Sequence, residues 1–161
     1  MTKAVYSVVE IQDKITKSNI TNIILRQLPK WFGIEESIIE YVNNVENTIF
    51  LTAYELEKPM GFISLKLNNE YTAEIFVMGI IEEYHQKGIG KNLVSDSEKI
   101  LRERNYKYLM VKTLGESHPD IYYKKTRAFY SKLGFYPLEE IAEIWGKENP
   151  CLLLIKNIYK E

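Results

Sequence analysis

The stretch Met78-Gly79-Ile80-Ile81-Glu82-Glu83-Tyr84-His85-Gln86-Lys87-Gly88-Ile89-Gly90-Lys91 sits where an apolar run gives way to two closely spaced glycines and then to a helical pattern. Upstream, Thr72 to Ile81 is too apolar toward its end to be exposed on both faces, which predicts a strand near the middle of a sheet. Downstream from Gly90, Leu93, Val94, Ile100 and Leu101 fall on one side while Lys91, Glu98, Lys99, Arg102 and Glu103 mostly face water, which predicts a helix. A loop that leaves a buried strand and opens a helix presents backbone N–H groups without intrahelical partners at the positive end of the helix dipole. Such a loop is a phosphate seat. Gly88 and Gly90 have no Cβ and let a pyrophosphate approach the main chain, with Lys87 and Lys91 adding charge. Two better-known glycine motifs fail here: a dinucleotide fingerprint needs a third glycine where Leu93 stands, and a P-loop needs Ser or Thr where Asn92 stands. The glycines alone leave two readings open, a tight turn or an anion site.

Outward from this loop, Val5 to Val9 predicts a first strand, Ile20 to Leu28 an amphipathic helix ended by Pro29, and Glu35 to Val45 a second helix. Thr48 to Leu56 and Gly61 to Leu67 are rich in β-branched and aromatic residues and predict strands joined by a turn at Glu57-Lys58-Pro59-Met60. Past the third helix, Tyr106 to Thr113 predicts a strand, Leu114 to Ile121 a polar connection, and Tyr123 to Leu133 a helix stopped by Gly134. Phe135 to Leu138 and Pro150 to Ile158 predict the last strands. The order implies a mixed α/β layout with parallel pairing across the two later helices. The second of those last strands, Cys151-Leu152-Leu153-Leu154-Ile155, is expected at a sheet edge, where its apolarity suggests self-association, as in a homodimer, as well as core packing.

Composition narrows the class. A chain of 161 residues with 45% hydrophobic content suits one domain over residues 1–161, and no repeat or linker divides it. The formal net charge of −1 provides no basic field for nucleic acid. A lone cysteine, Cys151, and two histidines, His85 and His118, suggest no disulfide and no metal cluster, consistent with a reduced cytoplasmic setting. No window is apolar enough for a membrane span or for a secretory leader after Met1, so the expectation is a soluble protein kept in the cell.

Taken with its strand and helix, the segment Met78 to Lys91 resembles motif A of the GNAT acetyltransferase superfamily, Gln/Arg-x-x-Gly-x-Gly/Ala, with His85 at the Gln/Arg position. That departure changes little if the loop works chiefly through backbone N–H. Ala128-Phe129-Tyr130-Ser131-Lys132-Leu133-Gly134-Phe135 is similar to a second family signature, in the right order and separation. The resemblance implies the GNAT fold, a mixed sheet of about seven strands with four helices. It also implies acetyl-CoA as cosubstrate without a metal, and a pantetheine arm entering between splayed strands around Phe76 to Ile80 and Tyr108 to Lys112. The implied cofactor-binding residues are Met78, Gly79, Ile80, His85, Gln86, Lys87, Gly88, Ile89, Gly90 and Lys91.

Amine acetylation needs a neutral nitrogen, a polarised thioester carbonyl and a proton for the leaving thiolate. By the resemblance, backbone N–H of Met78 to Ile80 meets the carbonyl and the pantetheine, and Tyr130 is the general acid. The competing reading of Tyr130 is a core aromatic beside Phe129. Glu74, six residues before Ile80, matches the base of histone-type members, against the plainer reading of a solvated strand glutamate; His118 is a second titratable candidate, against that of a loop histidine without a role. Many members carry asparagine seven residues before the tyrosine, where Tyr123 stands here. The acceptor is a primary amine of a small molecule or peptide, with Leu28 to Ile34 as a wall of its pocket or as core. Convergence of Glu74, Glu116 and Asp120 would favour a cationic amine. A non-catalytic acyl-CoA-binding module shares all of these features except the chemistry.

Overall fold

The computed structural model describes residues 5–160. In chain order it runs β1 (Ser7–Glu10), α1 (Lys14–Leu25), α2 (Glu35–Asn44), β2 (Ile49–Glu55), β3 (Lys58–Leu67) and β4 (Thr72–Ile80). A single 3₁₀ turn (Glu82–Tyr84) follows, then α3 (Ile89–Glu103), β5 (Tyr108–Leu114), α4 (Ile121–Lys132), β6 (Tyr136–Ile141), α5 (Ala142–Trp145) and β7 (Cys151–Asn157). The strands form one mixed sheet in the order β1-β2-β3-β4-β5-β7-β6. This is the expected mixed α/β fold with seven strands; the helix beyond the expected four is the four-residue α5. No helix among the described residues is long and apolar enough to cross a membrane.

The chain divides into two compact units. The first holds the residues up to Lys66 together with Phe76–Ile100, and the second holds Leu67–Ile75 and Leu101 onward.

In the first unit, β1 pairs antiparallel with β2 and β2 with β3. Phe50 and Phe62, both fully buried, stack at 5.1 Å between centroids, and Ile24, Leu25, Ile63, Leu65 and Leu93 complete an apolar core. Asp13 caps α1 by accepting from Thr16 N at 2.8 Å, which starts this helix six residues before the expected Ile20. The helix stops at Leu25, before Pro29, since Gln27 and Leu28 bond back to Ile24 and Leu25 in a tighter turn. The β2 to β3 turn lies at Leu56 and Glu57, with Leu56 at φ 55°, so Lys58 and Pro59 belong to the strand and not to the turn.

In the second unit, Thr72–Ile75 pair in parallel with Tyr108–Val111, and the whole of β5 pairs antiparallel with β7. The expected second parallel pairing is corrected by this arrangement: β7 inserts between β5 and β6. It also moves the edge. Cys151–Ile155 is an interior strand, as its near-continuous apolar run requires, and the exposed edge is β6. That edge carries Pro137, a register shift between Pro137 and Glu139, and Glu139 and Glu140, features that discourage pairing with another strand. The argument for a homodimer through an apolar β7 edge therefore has no footing.

Candidate active site

The glycine loop is built by two left-handed residues. Gln86 has φ 61° and Gly88 φ 82°, and between them the chain reverses from the 3₁₀ turn into α3. A Cβ on Gly88 would meet nothing within 4 Å, so what requires glycine there is the backbone angle and not the room. Gly88 O accepts from Asn92 N at 3.0 Å, the first bond of the helix, and the preceding N–H groups of Ile89, Gly90 and Lys91 lie at the start of α3, where the helical ladder offers no acceptor. Lys87 is exposed and its ammonium stands 5.6 Å from the centre of the buried Tyr84 ring. Four partial or full positive groups at one loop make an anion seat.

His85 has a role beyond its backbone. Its Nε2 lies 2.6 Å from the carbonyl oxygen of Ile80, and its ring meets Trp31 edge to face at 5.3 Å. The ring ties the loop to the end of β4. Gly79 is closely packed: a Cβ there would lie 3.0 Å from Leu28 Cδ1 and 3.2 Å from Ile24 Cγ2, so a larger residue would press on α1 and the turn after it. The aromatic turn after α1 is half-buried, with Phe32 against Tyr41 at 6.0 Å and Tyr41 against Phe76 at 5.3 Å. The rings of this turn thus pack on one another, as the core reading expects, and still keep some exposed area.

The remaining candidates belong to the second unit. Tyr130 is 4% exposed, with its ring between Phe129 at 5.2 Å and Phe135 at 5.4 Å. Its carbonyl accepts from Leu133 N and Phe135 N, which closes α4 at Gly134 and fixes the ring's origin. Glu74 is buried but not solitary: Oε1 accepts from Asn68 Nδ2 at 2.9 Å, and Oε2 lies 3.4 Å from the Lys112 ammonium. The plainer expectation of a solvated strand glutamate is corrected, since this side chain is 7% exposed. Asn68 and Lys112 were not singled out in the sequence, and only the parallel register of β4 on β5 signals Lys112.

His118 accepts at Nδ1 from Asp120 N, 3.2 Å away. The neutral ring then carries its proton on Nε2, so its remaining nitrogen is a donor and has no lone pair for a proton. Asp120 is equally engaged, capping α4 through Oδ1 with Tyr122 N at 2.8 Å and Tyr123 N at 3.1 Å. Glu116 is exposed in the loop, and Ser117 Oγ donates to Glu140 on β6. Of the three carboxylates expected to gather for a cationic amine, two already have partners within the protein. Cys151 is fully buried, and that burial pushes its thiol up to about 11, with Lys112 opposing and Glu74 adding to the shift. Among the described residues, no group of three or more His, Cys, Asp or Glu is placed to hold a metal ion.

The loop after β4 that opens α3 lies within residues 18–135, and these match the model of the acetyltransferase (GNAT) family. The chain belongs to the GNAT acetyltransferase family. Solved GNAT structures share its fold. One assigned to the family from Desulfovibrio desulfuricans superposes with a TM-score of 0.83 at 12% identity, covering 96% of this chain and 100% of that one. An aminoglycoside 6'-N-acetyltransferase complexed with coenzyme A gives 0.76 at 18% identity, covering 96% and 98%. The ribosomal-protein-S18-alanine N-acetyltransferase from Escherichia coli gives 0.73 at 14% identity, covering 98% and 96%. Comparison with the curated proteins returns no match. The last two structures are named for different acceptors, an aminoglycoside and a ribosomal-protein alanine, so the GNAT fold itself leaves the acceptor open.

Proposed function

We propose that this GNAT protein is a single-domain N-acetyltransferase that moves an acetyl group from acetyl-CoA to a primary amine of a small molecule or peptide by direct attack in a ternary complex. The observation that carries the reading is the loop from His85 to Lys91, in which Gly88 at φ 82° delivers the chain into the α3 N-terminus. A pyrophosphate fits such a seat, held by the first N–H groups of α3 and by Lys87 and Lys91. Main-chain groups of Met78, Gly79 and Ile80 would hold the pantetheine and polarise the thioester carbonyl.

In this reading the amine nitrogen attacks the thioester carbon, and the carbon–sulfur bond breaks as the tetrahedral intermediate collapses. Tyr130 gives its hydroxyl proton to the departing thiolate, and Glu74 takes a proton from the attacking nitrogen directly or through water. The tight packing of Tyr130 between two phenylalanines supports a fixed hydroxyl position, though it also favours a second reading in which the ring is core and the protein binds acyl-CoA without turnover.

Thiol release from acetyl-CoA across an amine panel, read beside thermal stability, separates the two. Acetyltransfer predicts turnover that Tyr130→Phe slows by roughly ten- to a thousandfold with little change in melting temperature. The binding module predicts stabilisation by acetyl-CoA, lost when Gly88 and Gly90 are both substituted, and no thiol release from any amine.

A further inference from the structure

We infer that Lys112 is a specificity-determining residue: its ammonium occupies the place that a cationic acceptor would take on Glu74, and it restricts the enzyme to amines whose remaining groups are neutral or anionic. The inference rests on the acetyltransferase reading, in which Glu74 faces the acceptor amine. Glu74 is a buried carboxylate on β4, and its two oxygens are met by Asn68 Nδ2 at 2.9 Å and Lys112 Nζ at 3.4 Å. Lys112 lies on β5, two residues beyond Met110, the register partner of Glu74, so both side chains emerge on one face of the sheet. The lysine side chain is 34% exposed, which leaves its ammonium in reach of solvent and of anything approaching Glu74.

The electrostatic consequence is specific. A carboxylate open to solvent attracts every ammonium of a polyamine or aminosugar, whereas a carboxylate already neutralised by a resident lysine presents no net charge. A second or third positive charge on an acceptor then meets Lys112 as a like charge in a part-buried setting, where repulsion is poorly screened. An acceptor with one amine loses nothing once that amine is neutral, and an acceptor carrying a carboxylate finds a counter-charge in Lys112. Of the other two carboxylates in this unit that were expected to draw cations, Asp120 is committed to capping α4 and Glu116 is exposed in the loop, where solvent screens it.

The test compares kcat/KM for a monoamine such as phenethylamine with that for a polyamine such as spermidine, using the full chain and acetyl-CoA. Wild type favours the monoamine by about tenfold or more; Lys112→Gln exposes the carboxylate and narrows the ratio by about tenfold; Lys112→Arg preserves it; and Glu74→Gln with Lys112→Gln shows no gain for the polyamine, since no carboxylate remains. A folded Lys112→Gln with an unchanged ratio, or a wild type that prefers spermidine, overturns the inference while leaving acetyltransfer intact. If Lys112→Gln does not fold, Lys112→Met decides, because it removes the same ammonium while leaving Glu74 in place and must narrow the ratio in the same way. An absence of thiol release from every amine removes the acetyltransferase reading and the inference with it.

Discussion

His85 turns back on the strand that precedes it, placing Nε2 2.6 Å from the carbonyl oxygen of Ile80. A carbonyl only accepts, so this nitrogen carries the proton in either charge state of the ring. The bond holds the loop from His85 to Lys91 at a fixed distance from the main chain proposed to bind pantetheine. His85→Ala is expected to raise the KM for acetyl-CoA about 3- to 10-fold, the value of one hydrogen bond, with kcat changed less. His85→Gln keeps a donor and should recover much of the loss. Steady-state kinetics in acetyl-CoA check both.

Gly79 lies under α1 in a tight place, since a Cβ would meet side-chain atoms of Leu28, Ile24 and Leu25 at 3.0 to 3.4 Å and each would have to give by a few tenths of an ångström. Gly79→Ala forces these side chains apart and Gly79→Val more so. Overpacking of this kind costs about 1 to 3 kcal/mol. Urea unfolding should show the valine variant as the less stable of the two.

Asp120 caps α4 through two backbone N–H groups, those of Tyr122 and Tyr123. Asp120→Ala leaves both donors to water and should destabilise by about 1 kcal/mol, while Asp120→Ser should restore most of it. The bond from its own N–H to His118 survives either change because it is main chain. If catalysis instead fell a hundredfold with stability intact, Asp120 would be acting on substrate and not only on the helix.

Cys151 is fully buried, with its thiol raised to about 11 from an ordinary value near 9. In the native protein it should resist iodoacetamide at neutral pH and react at once when the chain is unfolded. The folded state keeps this proton longer than the unfolded state does. The contribution to stability is therefore whole below about pH 9 and is lost as pH rises toward 11. Melting temperatures measured across that interval should fall less steeply for Cys151→Ala than for wild type.

Legibility in the sequence differs from element to element. Period and punctuation located β4, α3 and α4 within two or three residues, since alternation, helical spacing and a glycine stop are properties of neighbouring residues. The loop between β4 and α3 was legible for the same reason, although the left-handed Gln86 was not, because nothing in its residue type demands φ 61°. The short α5 was missed: four residues hold too little periodicity to register.

What tertiary structure alone decided is which distant segments meet. The order of β5, β7 and β6 follows from competition for the sheet interior, won by a strand apolar on both faces over one bearing Pro137 and two glutamates. The same holds for the site. A glutamate in the sequence Ala73-Glu74-Ile75 suggests a base, a counter-ion or a solvated side chain with equal ease, and its meaning depends on Lys112, thirty-eight positions further along the chain but one strand away in space. Local chemistry is written in order along the chain, whereas electrostatic partners are set by folding, and for this protein they set the surroundings of Glu74.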